Sequence, residues 1–286
     1  MTRNRLLVIA LLLIASAAWL VDAMQLSPGA AFQERDLQGL DALLAARTSF
    51  EASVLEARAG LQLSFDPINR AWSSLREATA AAETLRARGD IYAPAAERVE
   101  LAARALESQA AAVEQFKTDL ALLRLSSYHF PLAADALIRR AESDIRRQPR
   151  SPLAAELATL AALRTGVERV EERPASEDMQ RLEHGLSKLQ TLRASLDDHG
   201  REELDTLSGH TRAILERRER VDSIARMLVR SPVGMYLETA RSAYERSARY
   251  QAQKVGALQM LGGVLALSGV GVLVSVVLRS VRGPRP

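Results

Sequence analysis

The sequence predicts an all-α protein: antiparallel helical bundles, forming two stacked four-helix modules, flanked by two transmembrane helices. Three observations carry that expectation. Ala, Leu, Arg and Glu dominate a chain with only 4% aromatic residues, a composition that favours helix and denies strands the β-branched and aromatic side chains they need. Between residues 95 and 128 Val99, Leu106, Val113 and Leu120 recur every seven positions, with Ala102, Gln109, Phe116 and Leu123 as a companion row. Such a pair of rows is the seam of left-handed bundle packing. Long apolar runs also stand near both ends of the 286 residues.

The first run, residues 6–21, follows Arg3 and Arg5, and no Lys or Arg comes after it until Arg35. At ~1.5 Å per residue it reaches ~24 Å, a little short of a bilayer core, and flanking residues make up the difference. The charge asymmetry places the N-terminus in the cytoplasm. A cleaved leader, cut near Val21-Asp22-Ala23, is the rival reading. The second run, 255–278, carries Gln259 as its sizeable polar group and is long enough to cross with some tilt. Gly262 with Ala266 and Gly271 with Ser275 offer four-residue small spacings that allow a homodimer contact, though such spacings also arise by chance in a Gly-rich helix. The expected organisation is a cytoplasmic N-terminus (1–5), a first membrane helix (6–23), a first extracytoplasmic bundle (24–148), a second (149–254), a second membrane helix (255–278) and a cytoplasmic tail (279–286).

Between the membrane runs, breakers mark successive helices. The first is expected over 30–63, with Leu37, Leu40, Leu44, Phe50, Val54 and Leu61 on one stripe. Asp66-Pro67 opens a second to about 88, Pro67 suiting a first helical turn. The third covers 95–128, and Pro131 starts or kinks a fourth to 147. Residues 148–152 (Gln-Pro-Arg-Ser-Pro) read as the linker between modules. A fifth helix ends near 171. Ser176 is expected to cap the sixth, and the seventh runs from about 200 to Ser231-Pro232. The eighth continues unbroken into the second membrane run.

Absent cysteine removes disulfides, thiolate metal sites and a Cys nucleophile. The net charge is +3, with Arg and Glu closely alternating, so no broad basic face for nucleic acid is expected. His129, His184, His199 and His210 lack metal-ligand spacing, and neither a Ser-His-Asp set nor a glycine-rich phosphate loop is present. No enzymatic activity, metal or cofactor is expected.

Three patches carry a resemblance: residues 56–67, with Arg58-Ala59-Gly60-Leu61 and Phe65-Asp66-Pro67; residues 116–127, with Phe116-Lys117 and Ala121-Leu122-Leu123-Arg124; and Phe130-Pro131. Together they resemble the DAHL domain, the double all-helical ligand-binding region of VirA-like sensor histidine kinases. The likeness in pattern covers about residues 35–150; residues 150–250 match only in being helical. The resemblance implies a periplasmic sensor whose ligand is a small molecule or a ligand-loaded periplasmic binding protein, with a signalling partner such as a histidine kinase. The family's kinase portion has no counterpart in residues 279–286, which implies a receptor half signalling through a partner or a role outside kinase signalling. Ser64, Leu120 and Leu125 stand where the family usually has Asn, and Phe65 where Tyr is frequent, so if those amides touch ligand in relatives, the ligand here differs or binding is lost.

Six residues are candidate ligand contacts. Arg58 offers a planar guanidinium for an anionic group, or a simple surface ion pair. Asp66 lies near it across the Pro67 break, or caps the second helix. Gln109 interrupts the apolar seam, lining a pocket or setting register. Lys117, Arg124 and Ser126, with Ser127, make the 116–127 segment polar for a buried helix, although a solvated face explains them equally. The leading expectation is therefore a ligand-sensing module of the bacterial inner membrane, relaying binding through helix movement. The alternative is a two-pass scaffold whose helices bind a partner protein; a polar cleft lined by Arg58 or Arg124 favours sensing over a dry packed rod.

Overall fold

The structure, a computed structural model, describes residues 30–82, 85, 90–147, 151–172 and 175–281, with Ile14 and Ala17; at 30, 31, 171, 172, 266, 270, 273 and 276–281 it describes the main chain alone. Every element among the described residues is helical: α1 (Ala30–Arg58), α2 (Asp66–Ala82), a 3-10 turn (Asp90–Tyr92), α3 (Ala93–Arg147), α4 (Pro152–Ala155), α5 (Leu157–Glu172), α6 (Ser176–Gln190), a second 3-10 turn (Arg193–Ser195), α7 (Asp198–Val229) and α8 (Val233–Val281). The all-α expectation holds.

Contacts group the chain into two compact units. The described residues of unit 1 fall within Met1–Thr48, Ser73–Arg104 and Pro232–Pro286, and those of unit 2 within Ser49–Trp72 and Ala105–Ser231. The units are thus interleaved in sequence, whereas the 148–152 linker had been read as the divide. The reason is helix length. α1, α2 and α3 each give one stretch to each unit, because membership follows lateral packing and not the position of loops.

In unit 1, α1 and α8 run antiparallel. Tyr244 donates its hydroxyl to Asp36 (3.0 Å), and one turn away Arg241 pairs with Asp41 (2.7 Å). Tyr244 stacks on Tyr92 with centroids 4.8 Å apart, and both rings are buried, as are Val233, Leu237 and Ala240 on α8.

In unit 2, α3 and α7 run antiparallel, with Gln109 bonded to Ser231, Asp119 to Arg217 and Arg140 to Glu203. The tip formed by the end of α1 and the start of α2 packs along one stretch of this pair, with Phe50 tilted against Trp72 at 5.0 Å. The α5–α6 hairpin packs along another, tied to α3 by Arg164–Asp135 (2.6 Å). Within the hairpin, close approach comes from glycine: a Cβ at Gly166 would meet Leu182 at 2.7 Å and one at Gly185 would meet Leu163 at 3.2 Å.

All eight seam positions of α3 are buried, as the seven-residue spacing predicts. The stripe continues through Phe130, Ala134, Leu137 and Ala141, and of the two readings of Pro131 this decides against the start of a new helix. Pro131 lies inside one 55-residue helix and starts no new one. A proline there removes one main-chain bond at a cost of about 3 kcal/mol, and the buried stripe on both sides offsets it. Other boundaries shift for local reasons. α1 stops at Arg58 and not near 63, leaving Leu61 77% exposed, because Gly60 leaves the helix. Ser176 is the first residue of α6, whose N-cap is Ala175 with no side-chain cap bond. Asp197 does cap α7, accepting from the Gly200 N–H at 2.8 Å.

Among the described residues no helix is long and apolar enough to cross a membrane. The expected span 6–23 lies outside them except at Ile14 and Ala17, and 255–278 lies within α8, where the side chains at 266, 270, 273 and 276–278 are likewise outside.

Candidate functional site

The first patch of the sequence resemblance turns out to be a helix stop. At the end of α1 the Gly60 N–H donates to the Ala57 carbonyl (3.1 Å) and the Leu61 N–H to that of Glu56 (3.0 Å), while Gly60 takes φ +76°. This is a Schellman termination, which needs a left-handed residue and so favours glycine. The chain restarts when the Asn69 N–H reaches the Phe65 carbonyl (2.9 Å).

Arg124 of the second patch locks the first. Its Nη2 donates to the carbonyls of Ala57 (3.0 Å) and Gln62 (2.6 Å), and Nη1 to that of Leu63 (3.3 Å). Its guanidinium also lies 5.4 Å from the Phe65 ring centroid, a cation–π distance. Carbonyls released at a helix end carry partial negative charge, and a planar fork of donors suits several at once. Burial pulls the Arg124 guanidinium below its ordinary value, yet an arginine stays protonated at neutral pH.

A cleft of about 440 Å³ opens beside this lock. Its walls are Ala57 to Gly60 at the end of α1, Leu120, Leu123, Arg124 and Ser127 on α3, and Arg218 on α7. Arg58 Nε pairs with Asp222 Oδ1 at 2.6 Å. Arg218 is only 12% exposed, with Asp222 Oδ2 4.0 Å from its Nε, and that Nε is buried without a hydrogen bond.

Of the six candidates, the structure brings Arg58 and Arg124 together in this cleft. The other four stand elsewhere in unit 2. Asp66 is exposed in the first turn of α2, its N–H donating to Ser64 Oγ (3.4 Å); its carboxylate complements the helix N-terminus by charge, not by a cap bond. Gln109 is buried and bonds Ser231, with its Oε1 left unpartnered, so it joins α3 to the end of α7. Lys117 pairs with Glu114 (2.7 Å) and donates to Asn69 (3.0 Å), pinning α2. Ser126 turns into the core at 7% exposure, and its neighbour Ser127 takes the cleft wall. Arg218 was missed because the Arg217-Arg218-Glu219-Arg220 run reads as surface. A signal existed: Arg218 falls four residues after Ile214 and three before Val221, within the inward stripe of α7.

Gly60→Ala tests the helix stop. A Cβ there would meet nothing within 4 Å, so the expected loss of about 1–2 kcal/mol is wholly the cost of left-handed backbone. Thermal melts of the two proteins measure it, and an unchanged midpoint would refute the assignment.

A second feature is a histidine pair. His129 and His210 stack at 5.7 Å, and Tyr128 meets His129 edge-on at 5.1 Å. Burial, and then the neighbouring His129, lower His210 from the usual histidine value of 6.5. The unfolded chain therefore takes the proton first as pH falls. The contribution to stability is full above about 6.5 and lost as pH drops through the lower folded value. His210→Gln is expected to flatten that acid-side decline, which urea midpoints at about pH 7.5 and about pH 5 would reveal.

Fold and site together define a helical-bundle domain with a guanidinium-walled cleft. Residues 32–257 match the DAHL domain family, and the chain belongs to that family. The membership points to a ligand-sensing module of a signal-transduction system. No curated protein matches the chain.

Proposed function

We propose that this chain is a membrane-anchored sensing module of the bacterial inner membrane, its helical units periplasmic and both termini cytoplasmic. It is not itself an enzyme. Its ligand is a small molecule or a ligand-loaded periplasmic binding protein, and its output passes to a signalling partner such as a histidine kinase. The observation that carries the sensing role is the family match over 32–257, joined to a polar cleft lined by Arg58 and Arg124, the feature that favours sensing over a scaffold.

Support for the anchor comes from the apolar run 255–278 and from its side chains. Met260, Leu261, Val264, Leu267 and Val272 are each more than half exposed, a concentration of apolar surface that water disfavours and lipid accepts. α8 runs as one helix from Val233 to Val281, so a shift of its first turns is carried into the apolar run. Such a shift requires a ligand with different affinity for the two helix positions.

The absence of cysteine makes a labelling test direct. Asp198→Cys, at a side chain 99% exposed, is expected to react with a membrane-impermeant maleimide in intact spheroplasts. Labelling only after lysis would refute the periplasmic placement.

A further inference from the structure

We infer that the cleft of unit 2 is an anion site that takes a small organic acid, the carboxylate held among Arg58, Arg124 and Arg218 and the apolar body lying on Leu120 and Leu123. The inference rests on the sensing reading above and names the chemical class of its ligand.

The charges of the wall are all of one sign. Arg58, Arg124 and Arg218 line the cleft, and among the described residues no carboxylate does. Asp222 serves two of the three from behind: its Oδ1 is committed to Arg58 at 2.6 Å, and its Oδ2 stands 4.0 Å from Arg218 Nε. One carboxylate thus faces two guanidiniums, while Arg124 is matched only by neutral carbonyls. Arg218 is the least satisfied. Its side chain has little contact with water, and its buried Nε hydrogen-bonds nothing. A carboxylate supplies what this arrangement lacks, accepting charge-assisted bonds in pairs from planar guanidinium edges.

The end of a helix would ordinarily repel an anion, since its free carbonyls are negative. Here the Ala57, Gln62 and Leu63 carbonyls already accept from Arg124, and those of Glu56 and Ala57 accept from the turn. The helix end is therefore covered, and the net field of the wall is positive. Ser127 adds a hydroxyl donor, and Leu120 and Leu123 provide the apolar floor. The volume of about 440 Å³ lies within the range of small-molecule sites.

The test titrates the 286-residue chain, reconstituted in lipid nanodiscs, with benzoate, with its neutral isostere benzamide and with inorganic phosphate. Benzoate is expected to bind saturably and more tightly than either of the others. Ala59→Glu places a carboxylate in the wall without touching an ion pair, and is expected to weaken benzoate at least about tenfold, while Ala59→Gln leaves it within about threefold. Arg218→Gln is expected to act as Ala59→Glu does, and Arg218→Lys to retain part of the affinity. Helical circular dichroism confirms that each variant is folded; because Ala59 is exposed, that pair decides the matter even if the Arg218 variants unfold. No binding of benzoate, equal binding of benzamide, tighter binding of phosphate, or indifference to Ala59→Glu would each overturn the inference. The titration reads the cleft and the maleimide labelling reads the topology, so each reading fails separately.

Discussion

Arg217→Met is expected to lower the stability of unit 2 by about 3–5 kcal/mol, the usual cost of stripping a buried carboxylate of its partner. Asp119 is fully enclosed between α3 and α7, and Arg217 Nη1 reaches its Oδ1 at 2.5 Å with only a quarter of the arginine side chain exposed. Gln115 donates to the other oxygen at 2.7 Å, but an amide leaves the charge uncompensated. The ion pair itself contributes little relative to a well-packed apolar pair, because both charges were taken out of water to form it. Arg217→Met combined with Asp119→Leu is therefore expected to recover most of the loss. Urea unfolding, with hydrogen exchange resolved on peptides of α3 and α7, distinguishes the cases. If the single variant costs less than about 1 kcal/mol, or the double is as unstable as the single, this account of the pair is wrong.

Arg124→Ala should cost about 2–4 kcal/mol, since hydrogen bonds from a charged donor are worth more than neutral ones and three are lost together. The effect is local in origin. The Ala57, Gln62 and Leu63 carbonyls lose their common donor, and Phe65 loses its cation. Water reaches the Leu63 end, which is exposed, and limits the penalty there. Arg124→Lys keeps the charge but presents one ammonium where a flat fork spanned three acceptors, so less than half of the loss should return. Faster amide exchange at residues 57–65 is the expected signature, and unchanged protection there would count decisively against the lock. Because Arg124 also walls the cleft, Arg124→Ala would lose ligand as well as stability. The Ala59 pair, which leaves the lock intact, is accordingly the cleaner probe of binding.

Two of the three patches that carry the family resemblance acquire a common physical meaning from this geometry. Arg58-Ala59-Gly60-Leu61 ends one helix, Phe65-Asp66-Pro67 begins the next, and the arginine of Ala121-Leu122-Leu123-Arg124 clasps the turn between them. A pattern that looked like a ligand signature is first a fold signature. The cleft exists because that turn is held open beside α3, leaving Arg58 at its rim.

Much was legible before any coordinates. The heptad rows of α3 were readable because burial on a helix repeats with a fixed period, and all eight positions face inward. The uninterrupted run of α8 followed from the absence of breakers after Gly234. Arg58 and Arg124 were named as candidates because both stand in the resemblance patches and a planar guanidinium suits an anionic group. The misplaced boundaries have local causes. Pro131 acts through local backbone preference, which is a weak prior against packing, and the apolar stripe through Leu61 was followed past Gly60. A buried stripe carried α3 through its proline, whereas α1, with no partner for Leu61, ended at its glycine.

By itself, then, the sequence determined that the chain is helical and which faces of its helices are apolar, and it offered Arg58 and Arg124 either as ligand contacts or as solvated surface charge. Tertiary structure alone decided that α1, α2 and α3 are shared between two units, that Arg124 spends its donors on the turn, and that Arg218 joins Arg58 across about 160 residues of chain. The physical reason is that periodicity and propensity are local quantities. Which guanidinium finds a carboxylate, and which is left facing a cleft, depends on the lateral neighbours that long antiparallel helices bring together.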